Sequence, residues 1–141
     1  MMNTIISLIA AAVTFGTVLM YGTLGEVLTE RSGNLNLGVE GIMFMGGAFG
    51  LGGVFYYEQA VGEANSSAAV ALLIALASAF AAGVIASLIF SFLTITLRAN
   101  QNVTGLALTI FGTGVGQFTG EYMRVHQGGY VALSNHLKEF F

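Results

Sequence analysis

The stretch Ala68–Leu97, AAVALLIALASAFAAGVIASLIFSFLTITL, contains no charged residue over 30 positions. At about 1.5 Å of rise per residue, a straight helix of this length would reach ~45 Å, more than the hydrocarbon core of a bilayer requires. Two spans do not fit, because they would need about 40 residues and a turn. The stretch therefore predicts a single transmembrane helix that is tilted or overhangs the bilayer.

Three further apolar stretches surround this one, at residues 5–24, 37–57 and 103–120, and Glu40 is the one charge within them. The segment Glu26–Asn36 between the first two is polar and is predicted to connect them. A cleavable signal peptide is the alternative for the first stretch, but no basic residue precedes it and its apolar block is too long. The pattern predicts an all-α, polytopic transmembrane bundle of about four spans.

The composition of the whole chain agrees with burial in lipid. Of its 141 residues, 55% are hydrophobic and 8% are charged, whereas a soluble domain has about 25% charged residues. The chain has no cysteine and a net charge of −3 without a basic run, which excludes disulfides and thiolate chemistry and argues against nucleic-acid binding. His126 and His136 lack a third ligand in the sequence. We therefore expect a bilayer partner, no metal or other cofactor in this chain, and no catalytic centre.

Small residues recur at intervals of four and are candidates for helix packing. Successive positions drift by ~40° around a helix, so a long row meets more than one neighbour. Close backbone approach is a main source of helix association in lipid. The alternative is that Gly and Ala are simply common in membrane helices. The packing candidates are Gly46, Gly50, Ala75, Ala79, Gly83, Ser87, Gly112, Gly116 and Gly120.

Glu40 is the first candidate for function, because a carboxylate is costly within an apolar span. In one interpretation Gly38 and Gly41 bracket a broken or re-entrant helix, and Asn34, Asn36 and Glu40 face a protein-lined cavity. In the other, Glu40 lies at the interface and is stabilised by the dipole at a helix N-terminus.

Asn100, Gln101 and Asn102 form a second polar cluster, where the third span meets the fourth. Three carboxamides offer hydrogen-bond donors and acceptors without charge. The cluster suits a neutral solute rich in hydroxyl or amide groups, or it is simply a loop.

The basic residues give an orientation for the bundle. With four spans, Arg31 and Arg98 share one side, and the positive-inside rule places that side in the cytoplasm. Arg124 and Lys138 then fall on the opposite side, so the rule is only partly satisfied.

Two segments resemble motifs of a known family. GEVLTERSGNLNLGVEG at residues 25–41 resembles the signature of ABC-transporter permeases of the nucleoside (basic membrane protein) branch, which belongs with the branched-chain amino acid and ribose permeases. LRANQNVTGLAL at residues 97–108 resembles a second motif of that family. Thr109 stands where we would expect Asn, so the resemblance does not extend to a solute contact there.

The resemblance implies a multi-pass subunit of an ATP-driven importer in the bacterial inner membrane, with nucleosides as solute. Branched-chain amino acids or ribose are the alternative solutes. It also implies a second permease subunit, separate ABC ATPase subunits that hydrolyse ATP, and an extracytoplasmic solute-binding lipoprotein. Family members are longer, so residues 1–141 resemble the N-terminal part of a permease domain. A small oligomeric structural or pore-forming protein, assembled through its glycine rows, is the alternative from another class.

Overall fold

The computed structural model describes residues 2–62 and 65–126, and its regular structure is entirely helical within those ranges. This confirms the all-α prediction. The helices are α1 (Met2–Arg31), α2 (Val39–Val61), α3 (Ala68–Ser91) and α4 (Gln101–His126), and a π-helical turn at Phe92–Thr96 follows α3.

Three helices of the described part are long and apolar enough to cross a membrane, at Thr4–Arg31, Val39–Val61 and Ala68–Thr96. The fourth predicted stretch, residues 103–120, is helical within α4. Helix α4 is less apolar than these three helices, because it contains frequent Gly, Thr and Gln residues. That α4 crosses the bilayer therefore stays a prediction.

Helix α1 runs beyond the predicted boundary, through the polar segment that begins at Glu26. The residues from Glu26 to Arg31 contain no Gly or Pro, so nothing in the backbone stops the helix there. It ends before Gly33, which has a φ of +86° that L-residues rarely adopt. The connection predicted for residues 26–36 is therefore shorter, because six of its residues remain helical.

The long apolar run at 68–97 ends in a widened turn. The N–H of Leu97 donates to the carbonyl of Phe92 at 3.1 Å, and the N–H of Ala99 donates to that of Leu93 at 3.0 Å. Arg98 follows with a φ of +53°, in the left-handed region. This change of backbone direction brings the chain back into α4.

Helix α2 lies between α3 and α4 and contacts both along its length. On the α3 side, a Cβ added to Gly50 would lie 3.3 Å from the carbonyl oxygen of Ala75 and 3.4 Å from Cβ of Ala79. One added to Gly46 would lie 3.6 Å from the carbonyl oxygen of Ala79. The small residues of α2 therefore bring its backbone close to α3.

On the other side, α2 and α4 touch backbone to backbone. A Cβ on Gly112 would lie 2.5 Å from the carbonyl oxygen of Gly41, and one on Gly41 would lie 2.6 Å from that of Leu108. A Cβ on Gly116 would overlap the ring of Phe44. Such distances leave no room for a side chain, so this crossing requires glycine on both helices.

The remaining packing candidates lie elsewhere. A Cβ on Gly83 would reach Ile42 at 3.9 Å, and one on Gly120 would meet nothing within 4 Å in the described part of the chain. Ser87 is exposed. Among the described helices, α1 contacts only α2, and Gly22 of α1 faces Met43 there. None of the described side chains of α1 is buried.

Candidate functional site

The segment between α1 and α2, residues 32–38, is called the connector. The N–H groups of residues 32–34 donate to carbonyls of the last turn of α1, and beyond them the connector is held by side chains. The N–H of Leu35 donates to Oε1 of Gln101 at 2.8 Å, and the N–H of Asn36 donates to Oε1 of Glu26 at 2.9 Å. The N–H of Gly38 donates to Oδ1 of Asn36 at 2.9 Å. Because a buried N–H without an acceptor is costly, these side chains determine the path of the connector.

Gln101 links the connector to the beginning of α4. Besides accepting from Leu35, its Nε2 donates to Oδ1 of Asn34 at 3.1 Å. One carboxamide thus uses its acceptor and one of its donors on neighbouring residues of the connector.

Thr109 provides a second link to α4. Its Oγ1 donates to the carbonyl oxygen of Leu37 at 2.8 Å, one turn beyond Gly105. A Cβ on Gly105 would lie 2.7 Å from the N of Leu37. The connector therefore lies directly on the backbone of α4.

Glu26 is half-buried, and its second carboxylate oxygen is not satisfied. Oε2 is buried and has no hydrogen-bond partner in the described part of the chain, while Oε1 accepts from Asn36. A carboxylate in this setting is desolvated on one side without compensation.

This arrangement predicts that the acceptor of Glu26 matters more than its charge. We expect Glu26→Gln to stay within about 1 kcal/mol of wild type, because Oε1 is kept and a neutral amide is cheaper to bury. Glu26→Leu removes the acceptor of Asn36 and is expected to cost about 2 kcal/mol. Thermal unfolding of the full-length permease in detergent measures both. An equally large loss in Glu26→Gln would show that a cationic partner binds the charge itself.

The six residues predicted for a solute path are only partly brought together. Asn34, Asn36 and Gln101 meet in the connector network. Asn100 is exposed, and its Oδ1 accepts from the N–H of Val103 at 3.2 Å, as an N-cap does. Asn102 is exposed as well.

Glu40 lies in the first turn of α2, and its side chain is exposed in this chain. Helix α2 runs unbroken from Val39, so the expected break or re-entry between Gly38 and Gly41 is not found. Both glycines are buried against α4 instead, where they permit close approach. The position of Glu40 agrees with the alternative interpretation, a carboxylate stabilised at a helix N-terminus.

An open groove lies between α1 and α3 beside the connector, and α2 forms its third wall. One cavity of about 530 Å³ is lined by Thr29, Asn36 and Ser87 among others, and a neighbouring cavity of about 320 Å³ is lined by Thr29, Asn34 and Ser91 among others. Since Thr29 borders both, we treat them as one feature, the α1–α3 groove. Asn36 and Asn34 are the predicted path residues that reach it.

Sequence reasoning missed Glu26, Gly41, Gly105 and Thr109 as structural residues. Glu26 was assigned to a connection rather than to a helix, and glycine spacing was sought only at intervals of four. Gly41 and Gly112 lie on the α2–α4 crossing and Gly105 lies against the connector, and the three do not form one such row. Gly105 and Gly112 are seven residues apart, about two helical turns, and this spacing is the sequence signal that places both glycines on one face of α4.

Among residues 2–62 and 65–126, no three acidic, His or Cys side chains are grouped as a metal site would need. Nδ1 of His126 lies 2.8 Å from the carbonyl oxygen of Tyr122, and the two rings stack at 4.1 Å. His136 and Lys138 lie outside the described residues.

Comparison with known proteins identifies the family. Residues 7–133 match the family described as branched-chain amino acid transport system / permease component. The chain is 38% identical over 113 residues to the "Putative glucose ABC transporter permease protein TsgC13" of Haloferax volcanii, covering 80% of this chain and 31% of that protein. It is 34% identical over 111 residues to the guanosine ABC transporter permease protein NupQ of Bacillus subtilis, covering 79% and 33%. No solved structure matches.

The chain thus spans about a third of the length of these two relatives. Both are permease components of transporters, which confirms the resemblance in residues 25–41 and 97–108 at the level of the family. With its apolar helices, the chain is a multi-pass membrane protein. It belongs to the family of ABC-transporter permeases described as the branched-chain amino acid transport system permease component.

Proposed function

We propose that this chain is the N-terminal part of the membrane-spanning subunit of an ATP-driven importer, and that the solute is a nucleoside. The observation that carries the proposal is the match of residues 7–133 to the permease family, together with two relatives named as ABC permeases. The chain itself would supply a passage and not a reaction.

A nucleoside is supported by the guanosine relative and by the resemblance of residues 25–41 to the nucleoside branch. The glucose relative favours a sugar as the second candidate. A branched-chain amino acid is the third candidate solute, because the description of the family names it.

The proposal includes partners that are not in this chain. These are a second permease subunit, two cytoplasmic ABC ATPases and a solute-binding lipoprotein outside the bacterial inner membrane. The energy for transport would come from the ATPases, which drive the permease between inward-facing and outward-facing states.

The connector supports an orientation of the bundle. Hydrogen bonds from Gln101 to the connector put the α1–α2 and α3–α4 connections at one end of the bundle, so Arg31 and Arg98 lie at that end. Under the positive-inside rule, Arg31 and Arg98 favour this end for the cytoplasm, whereas Arg124, in the last turn of α4, lies at the opposite end.

The structure weakens the alternative of an oligomeric pore built on glycine rows. Gly46 and Gly50 pack against α3, and Gly112 and Gly116 pack against α2. These four glycines are therefore occupied within one chain, whereas Gly120 is not occupied in the described part of the chain, so the glycine rows lend the alternative less support.

The proposal predicts ATP-dependent uptake by the full-length permease reconstituted with its ATPases and binding protein in proteoliposomes. We expect guanosine to accumulate at least tenfold above vesicles that lack ATP. An ATPase variant that binds but does not hydrolyse ATP is the control, and it should reduce uptake to background. Equal accumulation without ATP would contradict the importer assignment, and ATP-dependent uptake of glucose alone would replace the nucleoside by a sugar.

A further inference from the structure

The α1–α3 groove has an uncharged lining that is mainly apolar, as small-molecule sites usually are, and it carries most of its polar side chains near the connector. Apolar residues of α1, α2 and α3, such as Val18, Ile42 and Phe90, form most of its walls. Hydroxyl and amide side chains from α1, the connector and α3 form the rest, and no charged side chain of the described residues borders it. Its polar members closest to the connector end are Thr29, Ser32, Asn34, Asn36, Ser87 and Ser91.

The hydroxyl groups on the α1 side have already used their hydrogens. Oγ1 of Thr29 donates to the carbonyl of Gly25 at 2.9 Å, and Oγ of Ser32 donates to that of Thr29 at 2.6 Å. Thr29 then has acceptor lone pairs left for the groove, and Ser32, whose Oγ also accepts from Nδ2 of Asn34 at 3.4 Å, keeps one. A solute carrying several O–H or N–H donors would complement these positions.

Ser87 and Ser91 provide the opposite wall. They lie one turn apart on α3, and neither side chain makes a hydrogen bond within the described part of the chain. Their hydroxyls are therefore free to donate or to accept, unlike those of Thr29 and Ser32. The groove offers both kinds of partner to a neutral ligand.

Charge and size restrict the class of ligand. Moving an ionised group into a low-dielectric site without a partner is expensive, and a free amino acid carries both a carboxylate and an ammonium group. The cavities, at about 530 and 320 Å³, fall within the range of small-molecule sites, roughly 300–1,000 Å³.

We propose that the α1–α3 groove is the solute passage through this part of the permease and that it takes a neutral, polyhydroxylated solute, a nucleoside or a sugar, rather than an amino acid. This inference rests on the proposed function, since it requires that the protein transports a solute. It assigns Ser87 and Ser91 to the wall of a passage rather than to helix packing.

The test uses the absence of cysteine from these 141 residues. Ser87→Cys and Ser91→Cys are made in a full-length, otherwise cysteine-free permease, which is reconstituted with its ATPases and binding protein. Each variant is modified with benzyl methanethiosulfonate, a neutral reagent that reaches thiols in groove and lipid alike. Uptake of guanosine, glucose and leucine is measured before and after modification. We expect a fall of at least tenfold in guanosine or glucose uptake after modification.

Ile85→Cys is the matched control, because Ile85 is exposed on α3 two residues from Ser87 and borders neither cavity of the groove. Its modification should change uptake less than twofold. Mass spectrometry confirms equal labelling of the three cysteines.

Full labelling at residues 87 and 91 without a fall in uptake would contradict the assignment of the α1–α3 groove as the solute passage. A failure of these cysteines to label would do the same, by showing that another helix fills the groove. ATP-dependent uptake of leucine alone would contradict the proposal that the groove takes a neutral, polyhydroxylated solute. In each of these cases ATP-dependent uptake stands and so does the importer assignment, whereas loss of ATP dependence in the unmodified wild type contradicts the proposed function itself.

Discussion

Gly112→Val is expected to reduce the yield of folded full-length permease at least tenfold. The Cβ of any residue at this position would lie 2.5 Å from the carbonyl oxygen of Gly41 and 2.6 Å from its carbonyl carbon. These are backbone atoms of a helix, which cannot rotate away as a side chain can. Overpacking a core commonly costs about 1–3 kcal/mol, and we expect the upper end or more here, because two helices must separate along their length. Fluorescence-detected size exclusion in detergent measures the folded fraction.

Gly114→Val is the matched control for this prediction. It makes the same chemical change on the same helix, but a Cβ at Gly114 meets nothing within 4 Å in the described part of the chain. It should retain at least half of the wild-type yield. Equal losses in both variants would show that α4 needs glycine for backbone flexibility and not for its crossing with α2. A wild-type yield for Gly112→Val would show that the two helices do not touch.

The fold follows from the apolar runs, because a chain in lipid must satisfy its backbone internally and a helix does so locally. Residues 5–24 and 68–97 could therefore be assigned without knowledge of any neighbour. The end of α1 could not, because polarity at Glu26 was taken as the end of the helix. Polarity ends a span, whereas the backbone at Gly33 ends this helix.

Packing was less predictable than the helices themselves. Spacing shows which small residues share a face, but it does not show which helix that face meets. Gly50 meets Ala75 and Ala79, whereas Ser87 in the same row as Ala79 borders an open groove. The difference depends on where α1 and the connector lie, and no local pattern in α3 encodes it.

The polar residues of the predicted site were identified, but their main role was not. Carboxamides that could bind a solute can equally bind a backbone, and the sequence does not distinguish these partners. Asn34 and Gln101 are 67 positions apart and bond to each other. Thr109 was not expected to contact solute, and its hydroxyl donates a hydrogen bond to the carbonyl oxygen of Leu37. The groove could not be predicted at all, because its walls come from four separate segments: α1, the connector, α2 and α3.

Gln101→Ala is expected to open the connector to protease. The substitution removes the acceptor of Leu35 and the donor to Asn34, leaving a half-buried N–H without a partner. Losing these bonds costs about 2 kcal/mol, which corresponds to a rise of ~30-fold in the open population. Alanine is a good helix former, so α4 itself should not be weakened. Arg31 is the exposed last residue of α1, immediately before the connector, and trypsin cleavage after it reports the opening.

The measurement is the rate of cleavage after Arg31 in detergent-solubilised full-length permease, followed by mass spectrometry at low trypsin. Asn102→Ala is the matched control, because Asn102 is the exposed neighbour of Gln101 and makes no side-chain hydrogen bond within the described residues. Its rate should stay within twofold of wild type. Gln101→Glu keeps an acceptor for Leu35 but loses the donor to Asn34, so it should fall between the two. Similar cleavage rates in Gln101→Ala and Asn102→Ala would mean that the connector is held by its other hydrogen bonds and that the amide of Gln101 contributes nothing to its order.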